Sequence, residues 1–108
     1  MSLYGKYIKE RLNHDIVENE MGFASFSYEP EGVYIRDIYV HPAHRHEEVA
    51  SDLADQIMIA AKSKGYHTMF GTVQPSANGS TSSLRVLLAY GFKLHSSQND
   101  FIIMEKSI

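Results

Sequence analysis

The sequence predicts an α/β fold in which helices pack on a mixed sheet of parallel and antiparallel strands. Residues 33–73 follow a strand, helix, strand pattern, which requires a parallel pair joined by a right-handed crossover. Hairpin patterns at 21–40 and 92–108 supply antiparallel pairs. With 108 residues, a single domain is expected to span the whole chain, 1–108.

The composition is that of an ordinary globular protein, with 44% hydrophobic and 21% charged residues. A net charge of -3 provides no basic field, so we expect no nucleic-acid partner. The longest apolar run, at 57–61, is too short to cross a bilayer, and the N-terminus lacks the apolar core of a signal peptide. We therefore expect a cytoplasmic protein with no membrane partner. The absence of cysteine excludes disulfides and thiolate chemistry.

The first half of the chain predicts a helix followed by a β-hairpin. Residues 3–12 combine apolar and charged side chains at the spacing of a short amphipathic helix. Residues 21–40 are rich in aromatic and β-branched side chains, and a Glu-Pro-Glu-Gly turn interrupts them at 29–32. Because the second arm is apolar on both faces, it is expected to be a central strand covered on both sides.

Asp37 is the acidic side chain within that second arm. Side chains alternate along a strand, which places Asp37 on the same face as Val33, Ile35 and Tyr39. A carboxylate on a buried face needs a partner or has a raised pKa. Asp37 is thus a candidate for chemistry, and the competing interpretation is a structural carboxylate paired with an arginine or a backbone amide.

The middle of the chain predicts a long helix and a strand. Residues 47–64 carry an apolar stripe, and Gly65 follows as a C-terminal cap. Residues 66–75 predict a strand that Pro75 ends. The stripe consists of Val49, Leu53, Ile57 and Ala61.

The end of the chain predicts a shorter helix and a closing hairpin. The helix is expected before Gly91, with Leu84, Leu87 and Leu88 directed inward. Ser80, Thr81 or Ser82 would cap its N-terminus. Two short strands are expected to follow, on either side of a loop at 96–100.

Two loops are the expected places for a ligand, because ligands favour the carboxyl ends of parallel strands. These loops lie at 40–48 and 73–80. The first contains His41, His44 and His46, but their spacing fits no single helix face and no cysteine completes a set, so we expect no metal site. A Ser-His-Asp hydrolase is also disfavoured, since the chain has no Gly-x-Ser-x-Gly elbow.

Four stretches occur in an order that resembles the GNAT superfamily of acyl-CoA N-acyltransferases. They are "GFASF", "IRDIYVHPAHR", "VASDLADQIMIAAKSKGY" and "SLRVLLAYGFKL". The resemblance implies a GNAT-like fold, with helices on both faces of a central mixed sheet and a short N-terminal region. It also implies an enzyme that transfers an acetyl group from acetyl-CoA to an amine of an unknown small-molecule or protein acceptor. The short chain and its "YIKERLN" start resemble small phage-encoded members.

The same resemblance implies a set of cofactor-binding residues. Backbone amides of the turn after the Val-x-Pro strand end would hold the coenzyme A pyrophosphate, and the strand backbone would align the pantetheine arm. A loop asparagine and serines would bond the pantetheine amides. On this chain the implied residues are Ile38, Tyr39, Val40, Arg45, His46, Glu47, Glu48, Val49, Ala50, Asn78, Ser80 and Ser83.

Glu48 departs from the family pattern, because it occupies the position of the first motif glycine. Its bulk and negative charge are unfavourable beside a pyrophosphate. The alternative interpretation needs no ligand, since Glu47 and Glu48 lie in the first turn of a helix and there offset its dipole.

The catalytic residues that the resemblance implies are Asp37, as the base for the acceptor amine, and Tyr90, as the acid for the departing thiolate. In the family the acid is a tyrosine four residues before the glycine of the Gly-Phe pair, a position that Leu87 occupies here. For Tyr90 the alternative is a core or surface aromatic. A second hypothesis follows, a GNAT-fold binding module whose catalysis has faded. We also expect a homodimer that completes the acceptor groove.

Overall fold

The computed structural model describes residues 2–45 and 48–108, which form six strands and three α-helices. In chain order they are α1 (Leu3–Leu12), β1 (Asp15–Glu18), β2 (Gly22–Glu29), β3 (Gly32–Val40), α2 (Val49–Ser63), β4 (Thr68–Val73), α3 (Ser80–Ala89), β5 (Lys93–Gln98) and β6 (Phe101–Ser107). The sheet order is β1-β2-β3-β4-β6-β5. Strands β3 and β4 are parallel, and their neighbours are antiparallel. This confirms the mixed α/β fold. None of the helices in these ranges has the length and hydrophobicity needed to cross a membrane.

Strand β1 was not expected from the sequence. Its four residues, Asp-Ile-Val-Glu, pair antiparallel with β2 at the edge of the sheet. A four-residue segment with an acid at each end shows too little alternation to predict a strand. The pairing with β2 is what defines it, and that pairing is invisible in the local pattern.

Helices α2 and α3 pack on one face of the sheet. The stripe predicted for α2 is confirmed, because all four of its residues are buried in a core cluster that also contains Leu87 of α3. Leu87 lies against Gly71 of β4. The expectation that Leu88 faces inward is wrong: it is 52% exposed, since the next residue of a helix points about 100° away.

Helix α1 packs on the opposite face, so the expected coverage of both faces by helices is confirmed. Ala24 belongs to the core under α2, and its neighbour Phe23 therefore points to the other side. There Tyr4 of α1 contacts Phe23, with ring centroids 5.1 Å apart. Ile8 buries the inner side of α1.

The predicted cap of α2 is confirmed, and the predicted cap of α3 is wrong. Gly65 ends α2 with φ +87, and Tyr66 N donates to Ala61 O at 3.1 Å, which confirms the glycine cap. Helix α3 begins one residue after Gly79, so its expected serine or threonine cap is wrong. Ser80 instead donates its hydroxyl to Pro75 O at 2.9 Å.

The closing hairpin is tighter than expected. Strand β5 continues to Gln98, and only Asn99 and Asp100 remain in the turn, whereas a loop at 96–100 was expected. Asn99 adopts φ 55, the left-handed conformation that asparagine tolerates in short turns.

Strand β3 contains a bulge that changes which residues face the core. Ser25 pairs with Asp37 but Phe26 pairs with Ile35, which leaves Arg36 as the extra residue. After the bulge, Ile38 packs against the core instead of Asp37. The expected face shared by Val33, Ile35, Asp37 and Tyr39 is therefore wrong. So is the expected burial of the strand on both sides, because its second half is largely exposed.

Two isoleucines of α2 provide a matched test of this packing. Ile57 is 0% exposed and Ile59 is 65% exposed. Because Ile57→Ala leaves a cavity in the core, it is expected to lower the free energy of unfolding by about 2–5 kcal/mol. Ile59→Ala makes the same chemical change on the surface and should cost less than about 1 kcal/mol. Urea unfolding measures both, and equal losses would contradict the assigned face of α2.

Candidate functional site

The sheet opens at the carboxyl ends of its parallel pair. Strands β3 and β4 are paired over three positions, and the last pair is Ile35 with Gly71. Beyond it β3 continues to Val40 on β2 alone, while β4 continues to Val73 on β6. The divergence leaves a cleft whose walls include strand backbone with no partner strand on that side. The cleft lies at one of the two places expected for a ligand.

Two local features accompany the divergence. The bulge residue Arg36 follows directly after the last paired residue of β3, and a bulge bends and twists its strand. On β4, a Cβ added to Gly71 would lie 2.9 Å from Leu87 Cδ2. Glycine at this position therefore lets α3 come close to the sheet beside the cleft.

The cleft encloses about 720 Å³ and has an arginine on each of two walls. Arg45 comes from the turn after β3, and Arg85 comes from α3. Of the three arginines in the lining, Arg36 pairs with Glu29, so Arg45 and Arg85 are the guanidinium groups that favour an anionic ligand. The lining consists of Ile35, Arg36, Asp37, Ile38, Val40, Pro42, Arg45, Ala50, Gly71, Thr72, Ser83, Arg85, Val86 and Leu87.

The turn after β3 is built from a single 3₁₀ turn, Pro42–His44. The ring of His41 accepts a hydrogen bond from Ala43 N at 3.1 Å, which fixes the start of the turn. Arg45 Nε donates to Val40 O at 2.9 Å, and its guanidinium lies 5.5 Å from the centroid of the Tyr39 ring. These contacts hold Arg45 at the rim of the cleft. The implied ligands His46 and Glu47 lie outside the described residues.

Helix α2 begins beside this rim. Glu48 takes the N-cap position, is exposed, and makes no side-chain bond to the first-turn amides. Val49 is buried in the core, so only its backbone is available to a ligand. Ala50 lines the cleft, where its small side chain leaves room. The start of α2 therefore combines a favourable dipole with the carboxylate of Glu48, which does not occupy the amides, and that of Asp52 in the first turn.

The strand residues with an implied role separate onto two faces. Ile38 and Val40 line the cleft and pack against the core. Tyr39 points to the other face, where its ring stacks on Phe23 with centroids 5.8 Å apart. Any part that Tyr39 plays in the cleft is therefore limited to its backbone.

A second cavity of about 370 Å³ adjoins the first. The two share Arg36, Asp37, Thr72 and Ser83 as lining residues. The loop residues Asn78 and Ser80 line only the second cavity. Ser83 therefore lines the arginine-lined cleft, whereas Asn78 and Ser80 do not.

Asp37 lies where the two cavities meet, and its side chain is exposed. Within residues 2–45 and 48–108 no hydrogen bond or ion pair holds its carboxylate. Its neighbour Arg36 is engaged elsewhere, with Nη2 at 3.2 Å from Glu29 Oε1 and Nε donating to Ser27 Oγ at 2.8 Å. The alternative of a structural ion pair for Asp37 therefore has no support in the described contacts.

Tyr90 lines neither cavity. Its hydroxyl donates a short hydrogen bond to Asp55 of α2, and Lys106 Nζ lies 5.4 Å from the ring centroid. Burial, together with the hydrogen bond to Asp55 and the charge of that carboxylate, raises the pKa of the Tyr90 hydroxyl well above its usual range. The tyrosine joins α3 to α2 on the side of the molecule away from the cleft lining.

The histidines of the first loop show no metal-binding arrangement in the described part of the chain. The rings of His41 and His44 are 6.0 Å apart between centroids. Among these residues, no group of three His, Cys, Asp or Glu side chains is close enough to hold an ion.

Some lining residues escaped the sequence interpretation, namely Arg36, Thr72, Arg85 and Phe101. Arg85 carries a weak signal, because it lies two residues after Ser83 in the helix that borders the second expected loop. Phe101 carries none, since it reaches the site only through the pairing of β4 with β6.

Residues 10–92 match the sequence profile described as "Acetyltransferase (GNAT) family". No curated protein sequence matches the chain. A GNAT-family protein from Desulfovibrio desulfuricans has the same fold, with a TM-score of 0.77 and 15% identity over 94% of this chain and 77% of its own. The PaiA N-acetyltransferase of Thermoplasma acidophilum, solved with coenzyme A, gives 0.77 and 18% over 98% and 69%. An acetyltransferase from Bacillus subtilis, also solved with coenzyme A, gives 0.72 and 16% over 95% and 83%.

The profile match extends over well more than half of the chain and includes the Val-x-Pro strand end, the turn at Arg45 and the Gly91-Phe92 pair. The structural matches have identities of 15–18%, which show the fold alone. The chain belongs to the GNAT acetyltransferase family.

Proposed function

We propose that this protein is an acetyl-CoA-dependent N-acetyltransferase. The observation that carries the proposal is the cleft between β3 and β4, with Arg45 and Arg85 on its walls and α2 beginning at its rim. Cationic side chains and a helix N-terminus favour phosphate groups, and a long open cleft suits an extended cofactor. Family membership gives this arrangement an acyl-CoA as its expected occupant.

The residues present fit coenzyme A in their donor chemistry. Arg45 would meet phosphate charge, first-turn amides of α2 would donate to the pyrophosphate, and Ser83 would offer a hydroxyl to the pantetheine arm. The backbone of β3 after the bulge has groups free of β4, and these would bond the pantetheine amides. When bound, the cofactor supplies an acyl group activated as a thioester.

Asp37 is the proposed base for the acceptor amine. It lies at the junction of the two cavities, and no described side chain neutralises or occupies its carboxylate. An amine attacks only after losing a proton, and a carboxylate directly or through water can accept that proton. Arg36 stays bound to Glu29 and Ser27, so it does not quench the base.

The proposal assigns the protonation of the thiolate to solvent rather than to Tyr90. The tyrosine hydroxyl is committed to Asp55, and neither cavity includes it. Leu87, at the family's usual position for the acid, fills the space beside Gly71. An open cleft admits water, and thiolates are stable enough to leave with little acid assistance.

A second candidate is a GNAT-fold binding module without turnover. Glu48 favours it, because a carboxylate at the start of α2 weakens the field that would attract a pyrophosphate. The two candidates differ in one measurable respect. The enzyme releases free coenzyme A from acetyl-CoA in the presence of an amine, whereas the module, with weak or no coenzyme A binding, releases none.

We further propose that a second copy of the chain completes the acceptor groove in a cytoplasmic homodimer. The support is the largely exposed second half of β3, next to the cleft. Light-scattering mass measurement tests this, and a mass of one chain at working concentration would remove the dimer from the account.

Cofactor binding is the first testable consequence. Acetyl-CoA binds only the folded chain, so it should raise the melting temperature of the wild type. Arg45→Ala is expected to weaken binding about tenfold, because a charge-assisted phosphate contact is lost. Glu48→Gln is expected to tighten it about two- to fivefold, because a carboxylate is removed from the same end of α2.

Each variant is compared with its own ligand-free melting temperature, since Glu48 also stabilises α2 through the helix dipole. Arg11→Ala, at an exposed arginine of α1, is the matched control and should bind like the wild type. Absence of a thermal shift at millimolar acetyl-CoA would contradict the enzyme and favour the binding module, and unchanged affinity in Arg45→Ala would contradict the placement of the phosphates.

The role assigned to Tyr90 gives a second prediction. The folded chain holds the Tyr90 proton to higher pH than the unfolded chain, where tyrosine titrates near 10, so stability falls as pH rises above about 10. Tyr90→Phe should flatten this alkaline decline. It should also lower the free energy of unfolding at neutral pH by about 1 kcal/mol, through loss of the bond to Asp55.

Urea unfolding from about pH 7 to about pH 11 measures both effects. Some decline remains in the variant, because burial also raises the pKa values of Tyr28 and Tyr34. Tyr7→Phe, at an exposed tyrosine, serves as the control. A hundredfold loss of acetyl transfer in Tyr90→Phe would contradict its structural role.

A further inference from the structure

The second cavity has walls that no cofactor contact explains. Thr72 alternates with Gly71 and Val73 of the core side, so its side chain points to the face opposite α2 and α3. Phe101 alternates with Ile102 in the same way and is 52% exposed. The ring of Phe101 and the hydroxyl of Thr72 therefore line the second cavity, which does not include Arg45.

The loop between β4 and α3, which borders this cavity, is hydrogen-bonded to the β5–β6 turn. Ser76 donates both its backbone N–H and its hydroxyl to the Asp100 carboxylate, and the N–H lies 3.2 Å from Oδ1. These contacts join residues 24 positions apart in the sequence and lower the pKa of Asp100. One carboxylate therefore sets the position of the loop that carries Gln74 and Asn78.

The charges around the cavity are unequal. Arg36 is neutralised by Glu29 and bonded to Ser27, so it offers little attraction to a ligand anion. Asp37 lines the cavity and has no partner among the described residues, whereas Asp100 lies outside the lining, next to Phe101 in the chain, and accepts hydrogen bonds from Ser76. A cation is favoured here and an anion is disfavoured, in contrast to the arginine-lined cleft on the other side.

We propose that the second cavity is the acceptor-binding site and that it takes a primary alkylammonium group, whose charge meets Asp37 and whose methylene stem lies on Phe101. Asp100 is a positioning residue, which holds the loop wall against that stem through Ser76. The chemistry is shared by a free aliphatic amine and by a lysine side chain. The inference rests on the proposed function, because the junction at Asp37 and Thr72 must also admit the acyl group.

The reaction balances at this junction. The ammonium first gives one proton to Asp37, which passes it to solvent. The amine nitrogen then forms a bond to the acyl carbon, and the carbon–sulphur bond breaks. The second proton of the nitrogen reaches the leaving thiolate through water. The products are an amide, a thiol and one released proton.

Four amines test the class of acceptor by release of the coenzyme A thiol from acetyl-CoA. They are 1-aminopentane, 5-aminopentanoate, aniline and Nα-acetyl-lysine methylamide. The first and last are expected to be used, while 5-aminopentanoate should show kcat/KM at least about tenfold below 1-aminopentane, because its carboxylate, at the far end of the stem from Asp37, lies beyond Phe101 toward the Asp100 carboxylate. Of these two, a higher kcat/KM for 1-aminopentane indicates a free aliphatic amine as the acceptor, and a higher kcat/KM for Nα-acetyl-lysine methylamide indicates a lysine side chain. Either result supports a primary alkylammonium group as the class of acceptor.

Variants of the wall test the assigned roles. Phe101→Ala should raise KM for 1-aminopentane about fivefold, through loss of the stem contact, with the dissociation constant of acetyl-CoA unchanged. Asp100→Ala should raise the same KM and leave acetyl-CoA binding intact. Asp100→Asn keeps an acceptor for the Ser76 N–H and should recover part of the loss. Glu105→Gln, on the same sheet face but in neither cavity, is the control.

Three results would overturn the inference while leaving the proposed function in place. One is efficient use of aniline or 5-aminopentanoate, and another is acetyl-CoA binding with no use of any of the four amines. The third is a parallel rise in KM for amine and in the dissociation constant of acetyl-CoA in Asp100→Ala, which would mean general damage to the fold. Failure of acetyl-CoA to bind would remove both proposals together.

Discussion

The end of β3–β4 pairing at Ile35 and Gly71 is the constraint on which the site depends. Two adjacent features accompany it. The bulge at Arg36 bends β3 immediately after the last pair, and Leu87 presses against Gly71 where β4 continues. Continued pairing would satisfy the strand backbone internally and close the cleft. The chain instead leaves backbone groups exposed to a ligand, at a position between α2 and α3.

The bulge also divides the chemistry between two sides of the sheet. It turns Ile38 and Val40 toward the core and the cofactor cleft, and it leaves Asp37 exposed at the junction with the second cavity. Arg45 and Arg85 line only the first cavity, while the carboxylate of Asp37, which has no partner among the described residues, lies where the two cavities meet. In the proposed function, the first cavity would hold the anionic cofactor and the second the cationic acceptor, with their reactive ends meeting where the cavities join.

Much of the fold could be predicted from local patterns. The stripe through Ile57 and the cap at Gly65 defined α2, and the alternation around the 29–32 turn defined the central hairpin. What escaped prediction depends on pairing between distant segments. The bulge at Arg36 is a property of the β2–β3 register, and strand β1 exists only because β2 pairs with it.

In the site, too, residues that are close in the sequence could be predicted, and contacts between distant segments could not. Asp37 and Arg45 could be predicted from their order along the chain, because the strand end and the turn after it are contiguous. The loop contact between Ser76 and Asp100 joins segments 24 residues apart, and Phe101 reaches the cavity through the β4–β6 pairing. The face of Asp37 was misassigned for a related reason, since simple alternation holds only for a strand without a bulge.

A crystal structure of the protein with coenzyme A tests the central claim most directly. The account predicts density for the cofactor in the cleft between β3 and β4, with its pyrophosphate against the first turn of α2 and near Arg45. Strand pairing should still end at Ile35 and Gly71. Cofactor density away from this cleft, or β3–β4 pairing that continues beyond that position, would contradict it.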